Sequence, residues 1–214
     1  MTESARKILD AVRRALGGGS EPAAADAAHA GLFDGAAPRP VWSEDRVERF
    51  AAQLQRVAGS CARVPDLAAV PAAVARFLQA EDVAPELVLA PHPLARAVPW
   101  PERWRVSTQP IRSAACAVGV AVAECGIAET GSLVFPSGPQ HPTLLNLLPD
   151  DLLVLLPRAD LVDHMEDVWP RLQAKGPLPR TVNFITGPSR TADVEQTIQI
   201  GAHGARRLHV LLIG

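Results

Sequence analysis

Apolar and polar residues follow one another along the chain in blocks that predict alternating helices and strands. Apolar positions at helical spacing predict helices over 44–58, 66–78 and 160–172, and capping residues before a more polar stretch predict another over 193–200. Short apolar runs predict strands at 87–90, 104–107, 118–123, 127–135, 152–156, 182–186 and 208–213. This alternation predicts the α/β class, in three layers, with a largely parallel sheet that carries helices on both faces.

The first 40 residues differ in pattern from the rest of the chain. Residues 1–16 carry apolar side chains at helical spacing with Arg and Lys between them, and 17–40 are rich in Gly, Ala and Pro. We therefore predict an N-terminal helix and flexible linker over 1–40 and an α/β domain over 41–214. Such an arm suits docking on a partner, although terminal disorder also has this composition.

Composition removes several classes of function. The chain has 214 residues, 48% of them hydrophobic, which is ample for one globular core. A formal net charge of −2 without a basic stripe argues against nucleic acid as a partner. The apolar stretches are too short for a membrane span, and no signal-peptide core is found, so we expect a cytoplasmic protein.

Sequence motifs for metals and nucleotides are missing from the chain. Cys61, Cys116 and Cys125 lack the CxxC grouping of zinc and iron-sulfur sites, and they predict reduced thiols. His92, His141 and His164 show no metal-ligand spacing either. No GxGxxG fingerprint and no Walker lysine motif occurs. We therefore predict no metal and no cofactor on this chain.

The turn after the predicted strand at 182–186 is a candidate anion site. Gly187 and Pro188 interrupt the apolar pattern, and Ser189 and Arg190 follow at the predicted start of a helix. Free amides at a helix start attract carboxylates and phosphates, and a guanidinium can bind them bidentately. Arg190 has an alternative role as a solvated partner of acidic residues on the same helix.

Three more residues of this C-terminal segment are candidates for the same site. Thr191 or Asp193 can cap the predicted helix, since Gln196 follows Asp193 at the spacing of a capping box. His203 lies in the glycine-rich turn after it and can bind substrate or hold the turn. His209, within the last apolar run, is interpreted as a structural strand residue.

A second polar loop interrupts the apolar run at 127–135. Glu129 is the candidate catalytic residue, because a carboxylate beside an anion site can act as a base or as an acyl-accepting nucleophile. The alternative is that it caps or braces the turn that Gly131 permits. Thr130 and Ser132 offer hydroxyl groups to a ligand, and both also suit a strand edge.

Three motifs together carry a resemblance to a known family. They are GIAETGSLVF at 126–135, LLPDDLLVLLPRADLV at 147–162, and GPSRTADVEQT followed by GAHGARRLHVLL at 187–212. In this order they resemble the LUD-domain family of lactate-utilization proteins, over residues 111–214. The resemblance implies the fold shared by ribose-phosphate isomerases, glucosamine-phosphate deaminases and CoA transferases. Ala205 stands where the family usually has proline, and Gln140 and His141 replace a more basic segment.

The resemblance also implies a role in an iron-sulfur-dependent system that oxidises L-lactate to pyruvate. Because this chain lacks cluster motifs, the iron-sulfur clusters are expected on partner subunits, and this chain is expected to organise the complex or hold an anionic metabolite. The alternative is a freestanding enzyme of the isomerase or acyl-transferase type that uses Glu129 and an anion site at Ser189 and Arg190. Whether the chain is an enzyme stays open. Both loops are expected outside the carboxyl ends of the parallel strands.

Overall fold

The structure is a computed structural model that describes Lys7, Asp10, Ala11 and residues 39–110, 118–191, 199–200 and 204–214. The chain separates into two compact units, Met1–Trp42 and Ser43–Gly214. In the first unit Lys7, Asp10 and Ala11 are helical, and nearly all of the predicted linker lies outside the described residues. The second unit holds all the elements described below.

Six strands form the main sheet, and every neighbouring pair is parallel. In spatial order they are β1 (Ser60–Val64), β12 (Arg207–Ile213), β7 (Asp151–Pro157), β4 (Val118–Val122), β2 (Glu86–Leu89) and β3 (Arg105–Ser107). The central strands β7 and β12 are almost continuous apolar runs because both faces of a parallel sheet are covered. The prediction of a largely parallel sheet flanked by helices is confirmed.

Helices cover each face of this sheet. Helix α1 (Arg46–Arg56) begins where the Asp45 carboxylate accepts the Val47 N–H at 2.8 Å, and it buries Phe50 and Leu54 on one face of the sheet. Helix α2 (Val70–Ala80) and the short helix α3 (Pro93–Ala97) pack on the opposite face. Alternate residues of β7 point to the two sides, which divides the core into two clusters.

A smaller mixed sheet lies on the α1 side. Its spatial order is β8 (Leu161–Val162), β5 (Cys125–Ile127), β6 (Ser132–Pro136) and β9 (Val182–Ile185). Leu133 and Phe135 of β6 pack with α1 and the main sheet. The other face of the small sheet is covered by helix α5 (Val168–Gln173), through Val168 and Leu172.

The remaining elements are short. Helix α4 (Thr143–Leu147) precedes β7, and three 3₁₀ turns lie at Leu67–Ala69, Arg158–Asp160 and Met165–Asp167. Strands β10 (Arg190–Thr191) and β11 (Gln199–Ile200) form a two-stranded antiparallel ribbon. None of the helices that the structure describes is long and apolar enough to cross a membrane.

Several predicted elements are wrong, each for a local reason. The predicted strand 127–135 is two antiparallel strands, β5 and β6, because the chain reverses at Gly131. The predicted helix 160–172 contains the end of one 3₁₀ turn, then β8, and a second 3₁₀ turn before α5. Strand β1 was not predicted, since three of its first four residues are polar or small. The predicted helix 193–200 is wrong at its end, where Gln199–Ile200 is a strand, and 192–198 lie outside the described residues.

Candidate functional site

The loop between β5 and β6 is a tight turn that rests on helix α1. The Gly131 N–H donates to the Ile127 carbonyl at 2.9 Å, and Gly131 has a φ of +70°. A Cβ on Gly131 would lie 2.4 Å from the backbone nitrogen of Leu54. Only glycine meets both demands, because an L side chain is strained at positive φ and would also collide with the helix backbone.

The second loop, after β9, also packs on the end of α1. Gly187 has a φ of +83°, and a Cβ there would lie 2.4 Å from the Val57 carbonyl oxygen. The Ser189 N–H donates to the Ala205 carbonyl at 2.8 Å, just before β12 begins. The loop therefore lies at the amino ends of the parallel strands, and the prediction that it lies outside their carboxyl ends is wrong.

A chain of hydroxyl groups joins the two loops. Ser132 Oγ lies 2.7 Å from Thr130 Oγ1 and 2.6 Å from Thr186 Oγ1, and Ser132 is only 1% exposed. Each hydroxyl can donate one hydrogen bond and accept others, so the three can be satisfied in series. The structure thus joins Thr130 and Ser132 to Thr186, the residue before Gly187, which the sequence pattern predicts only as the end of a strand.

A pocket of about 210 Å³ opens beside the second loop. Its lining includes Thr186, Gly187, Ser189 and Gly204. The lining also includes Asn146, which is 4% exposed and whose Nδ2 has no hydrogen-bond partner in the described part of the chain. A buried amide without a partner costs free energy unless a ligand or water supplies one. The pocket can therefore bind a small molecule with an acceptor oxygen for this amide.

Other residues predicted for the anion site lie elsewhere. Arg190 is exposed and pairs in β10 with Ile200 of β11, while Pro188 is half-buried between Gly187 and Ser189. Thr191 is a strand residue, not a helix cap, and Asp193 and His203 lie outside the described residues. Neither Arg190 nor Glu129 is among the residues that line the 210 Å³ pocket. Of the predicted anion turn, Gly187 and Ser189 line the pocket.

Glu129 contacts a histidine instead. Glu129 Oε2 lies 3.3 Å from His164 Nδ1, and both side chains are mostly buried. The pairing follows from the sheet, because the backbone N–H of Glu129 donates to the Asp163 carbonyl next to His164. A carboxylate next to an imidazole can orient a proton carrier. Sequence spacing missed this pair, since residues 129 and 164 are joined only by the parallel pairing of β5 with β8.

Charged and titratable groups also collect at the carboxyl ends of β2 and β4. The rings of His92 and His141 lie 5.3 Å apart. Glu124, which is 8% exposed, accepts from Lys175 Nζ at 2.6 Å and from Arg171 Nε at 3.2 Å. His92 and Glu124 follow the predicted strands 87–90 and 118–123, which is the signal that could have identified them.

Burial affects both of the cysteines that the structure describes. Burial raises the pKa of the Cys61 thiol on β1 to about 11 and that of the Cys125 thiol on β5 to about 12. Cys116 lies outside the described residues. In the parts of the chain that the structure describes, no three His, Cys, Asp or Glu side chains are grouped for a metal.

Comparison with known sequences identifies relatives over part of the chain. A protein named Lactate utilization protein C from Halalkalibacterium halodurans is 33% identical over 100 residues, which cover 45% of this chain and 44% of that protein. Another of this name, from an Exiguobacterium species, is 31% identical over 118 residues and 51% of each chain. The chain therefore matches about half the length of these curated relatives.

A solved structure shares the fold. A DUF162 family protein from Deinococcus radiodurans superposes with a TM-score of 0.61 at 19% sequence identity, covering 82% of this chain and all of that one. At this identity the likeness supports the α/β fold alone.

The family match covers most of the second unit. Residues 47–213 match the family described as the LUD domain, from the start of α1 to the end of β12. The match includes both glycine loops, the hydroxyl chain and the carboxyl-end cluster. The resemblance inferred from three motifs is confirmed, and this chain belongs to the LUD domain family.

Proposed function

We propose that this chain is the non-cluster subunit of an iron-sulfur-dependent system that oxidises L-lactate to pyruvate. The observation that carries the proposal is the match to relatives named Lactate utilization protein C over 100 residues or more. This match spans about half of those relatives, so their role is extended here to the present chain as a proposal. We place the system in the cytoplasm.

The thiol chemistry supports a role without a bound cluster. Cys61 and Cys125 lie on β1 and β5, in different sheets, and burial raises the pKa of each thiol. Among the residues that the structure describes, neither thiol belongs to a group of three His, Cys, Asp or Glu side chains that could hold a metal ion. Clusters are therefore assigned to partner subunits, and this chain organises the complex or holds a metabolite.

The pocket beside Ser189 supports the metabolite role. Its volume of about 210 Å³ suits a molecule of a few heavy atoms, and the Asn146 amide, which has no partner among the described residues, can donate to a carboxylate oxygen. The pocket also has an apolar part, formed by Phe184, Ile185 and Leu208, which suits a short aliphatic chain. A small anionic metabolite fits both features.

The alternative is a freestanding isomerase- or acyl-transferase-like enzyme with a CoA-transferase-like fold. It is favoured by one observation, the 3.3 Å contact between Glu129 and His164 in a mostly buried setting. Such a pair can transfer a proton, or the carboxylate can attack an acyl group. In this version Ser189 and Arg190 would hold the anionic part of the substrate, although Arg190 is exposed.

Complementation of a deletion strain tests both versions. We expect loss of the gene to abolish growth on L-lactate and to leave growth on pyruvate unchanged, and we expect the wild-type chain to restore it. The Glu129→Gln variant should also restore lactate oxidation to within about twofold, because an organising subunit needs no base at this position; loss of a general base costs about 100-fold or more. The measurement is the lactate consumption rate of each strain.

Two results would decide against the proposal. Undiminished growth of the deletion strain on L-lactate contradicts a role in lactate oxidation. A Glu129→Gln chain that is present at wild-type level and leaves lactate consumption at the deletion value contradicts the non-catalytic role and favours the enzyme alternative.

A further inference from the structure

The carboxyl ends of β2 and β4 form the topological switch point of the main sheet. The two strands are parallel neighbours, but the chain leaves β2 toward α3 on one face and leaves β4 toward the small sheet on the other. Adjacent loops that diverge in this way open a crevice, where open α/β sheets usually bind ligands. His92 and Glu124 are in these two loops.

The hydrogen bonds of His92 fix its tautomer. Its Nδ1 accepts the backbone N–H of Leu94 at 3.1 Å, at the start of α3. A backbone N–H can only donate, so this nitrogen carries no proton. In the neutral ring the proton is therefore on Nε2, and no acceptor for this N–H is found among the residues that the structure describes.

His141 has the opposite tautomer. Its Nδ1 lies 3.1 Å from the carbonyl oxygen of Val122, the last residue of β4. A carbonyl can only accept, so Nδ1 carries the proton and the neutral ring has a lone pair on Nε2. The ring centroids are 5.3 Å apart and the rings are tilted by 56°, so the pair has a donor nitrogen on one ring and an acceptor nitrogen on its neighbour.

The surroundings keep both rings neutral near pH 7. Burial is the largest influence on each, and it lowers both pKa values below the ordinary 6.5. The charge of Lys175 lowers both further and that of Glu124 raises both, while protonated His92 lowers the pKa of His141. Because Lys175 and Arg171 pair with Glu124, the net charge facing the rings is small or positive.

We propose that His92 and His141 together bind the hydroxyl group of a small 2-hydroxy carboxylate. The hydroxyl accepts from Nε2–H of His92 and donates to Nε2 of His141. The Lys175 side chain is 60% exposed, and its ammonium group has two N–H donors besides the one that Glu124 accepts. In the proposed complex it pairs with the carboxylate of the bound hydroxy acid. The inference rests on the proposed function only for the choice of a hydroxy acid. The site is separate from the pocket beside Ser189, because the two lie at opposite ends of the parallel strands.

Asparagine variants test the site without removing its structural contacts. The His92→Asn side chain keeps an acceptor for the Leu94 N–H, and asparagine is a favourable helix cap. The His141→Asn side chain keeps a donor for the Val122 carbonyl. Each variant lacks the Nε2 position. Lys175→Gln removes the cation, and Arg105→Gln is its control, since Arg105 is a strongly exposed arginine on the edge strand β3.

Binding is measured by NMR on the whole chain with labelled histidine rings, using L-lactate as the probe and propionate, which lacks the hydroxyl, as the control ligand. We expect L-lactate to shift the ring signals of His92 and His141 and to leave those of His209 unchanged. Each histidine variant and Lys175→Gln should lower the affinity for L-lactate at least about tenfold, because each removes one polar contact with the ligand. Propionate should bind the wild-type chain at least about tenfold more weakly than L-lactate, and a tenfold change corresponds to about 1.4 kcal/mol. Arg105→Gln should bind as wild type.

The pH dependence gives an independent readout. Binding should be constant between about pH 7 and pH 8 and should weaken as His141 takes up a proton, at a pH below its ordinary pKa of 6.5. Equal affinity for propionate, unchanged binding by folded His141→Asn, or no shift of either ring with a large excess of L-lactate overturns the inference. These results come from the isolated chain, so a failure here with normal complementation leaves the proposed function standing.

Discussion

The Gly131→Ala variant is expected to lose about 4 kcal/mol of the free energy of unfolding. The positive φ of +70° costs an L residue about 1–2 kcal/mol. The rest comes from a steric collision, because the new Cβ would lie 2.4 Å from the backbone nitrogen of Leu54 and 2.7 Å from the carbonyl carbon of Gln53. Helix backbone cannot yield as a flexible side chain does, and large losses are typical of such overpacking.

Two other glycines allow the cost of backbone strain to be measured apart from the cost of a steric collision. Gly176 has a φ of +122° but open space around it, so Gly176→Ala should cost about 1–3 kcal/mol, from backbone strain alone. Gly138 has open space and no positive φ, so Gly138→Ala should change stability by less than about 1 kcal/mol. Urea unfolding at constant pH measures all three. A Gly131→Ala variant no less stable than Gly176→Ala would contradict the close packing of this loop on α1.

Acid should destabilise the fold through His209. This ring on β12 stacks on Phe77 at 4.8 Å, contacts Ser60 Oγ through Nδ1 at 2.7 Å and has an unpartnered Nε2 in the described part of the chain. Burial lowers its pKa from 6.5 to about 4. Between pH 6.5 and about pH 4, His209 is therefore protonated in the unfolded chain and neutral in the folded chain. Its contribution to the free energy of unfolding is complete above about pH 6.5 and falls by about 3 kcal/mol as the pH drops to about 4.

The His209→Phe variant isolates this contribution. A phenyl ring can keep the stacking on Phe77 and does not titrate. The difference in unfolding free energy between wild type and variant, measured by urea at about pH 7.5 and about pH 4, should change by about 3 kcal/mol in favour of the variant at low pH. Taking the difference cancels carboxylates that titrate in both proteins. If the free energies of unfolding of the two proteins change in parallel with pH, the pKa of His209 is not lowered in the folded state.

The main sheet can be predicted from sequence because its strands are buried on both faces. Continuous apolar runs at β4, β7 and β12 have no other simple explanation than parallel strands covered by helices. Helices α1 and α2 follow from apolar positions at helical spacing. Their boundaries in the structure differ from those predicted by a few residues.

The small sheet could not be predicted, because its pairing depends on contacts distant in sequence. Two-residue β8 has too little pattern to register as a strand, and only its parallel pairing with β5 defines it. The candidate sites also depend on contacts between residues that are distant in sequence. Thr130, Gly131 and Ser132 were identifiable as one polar loop, whereas Asn146, Thr186 and His164 join these loops only in space.

The pairing of His92 with His141 could not be predicted from the sequence pattern either. His92 and His141 are 49 positions apart and have no metal-ligand spacing, so their sequence neighbours suggest nothing. Both could have been placed at one end of the sheet only by combining predicted strands with the rule for switch points. That step needs the strand order, in which β4 lies next to β2.

Isolation of the tagged chain from its native cells tests the proposed function most directly. The proteins that co-purify and the iron in the same eluate are measured together, with the tag alone as control. We predict stoichiometric partners that carry the iron, and we predict that this chain is free of iron once they are removed. A chain recovered alone, or one that keeps stoichiometric iron after separation from its partners, would contradict a non-cluster subunit of a lactate-oxidising complex.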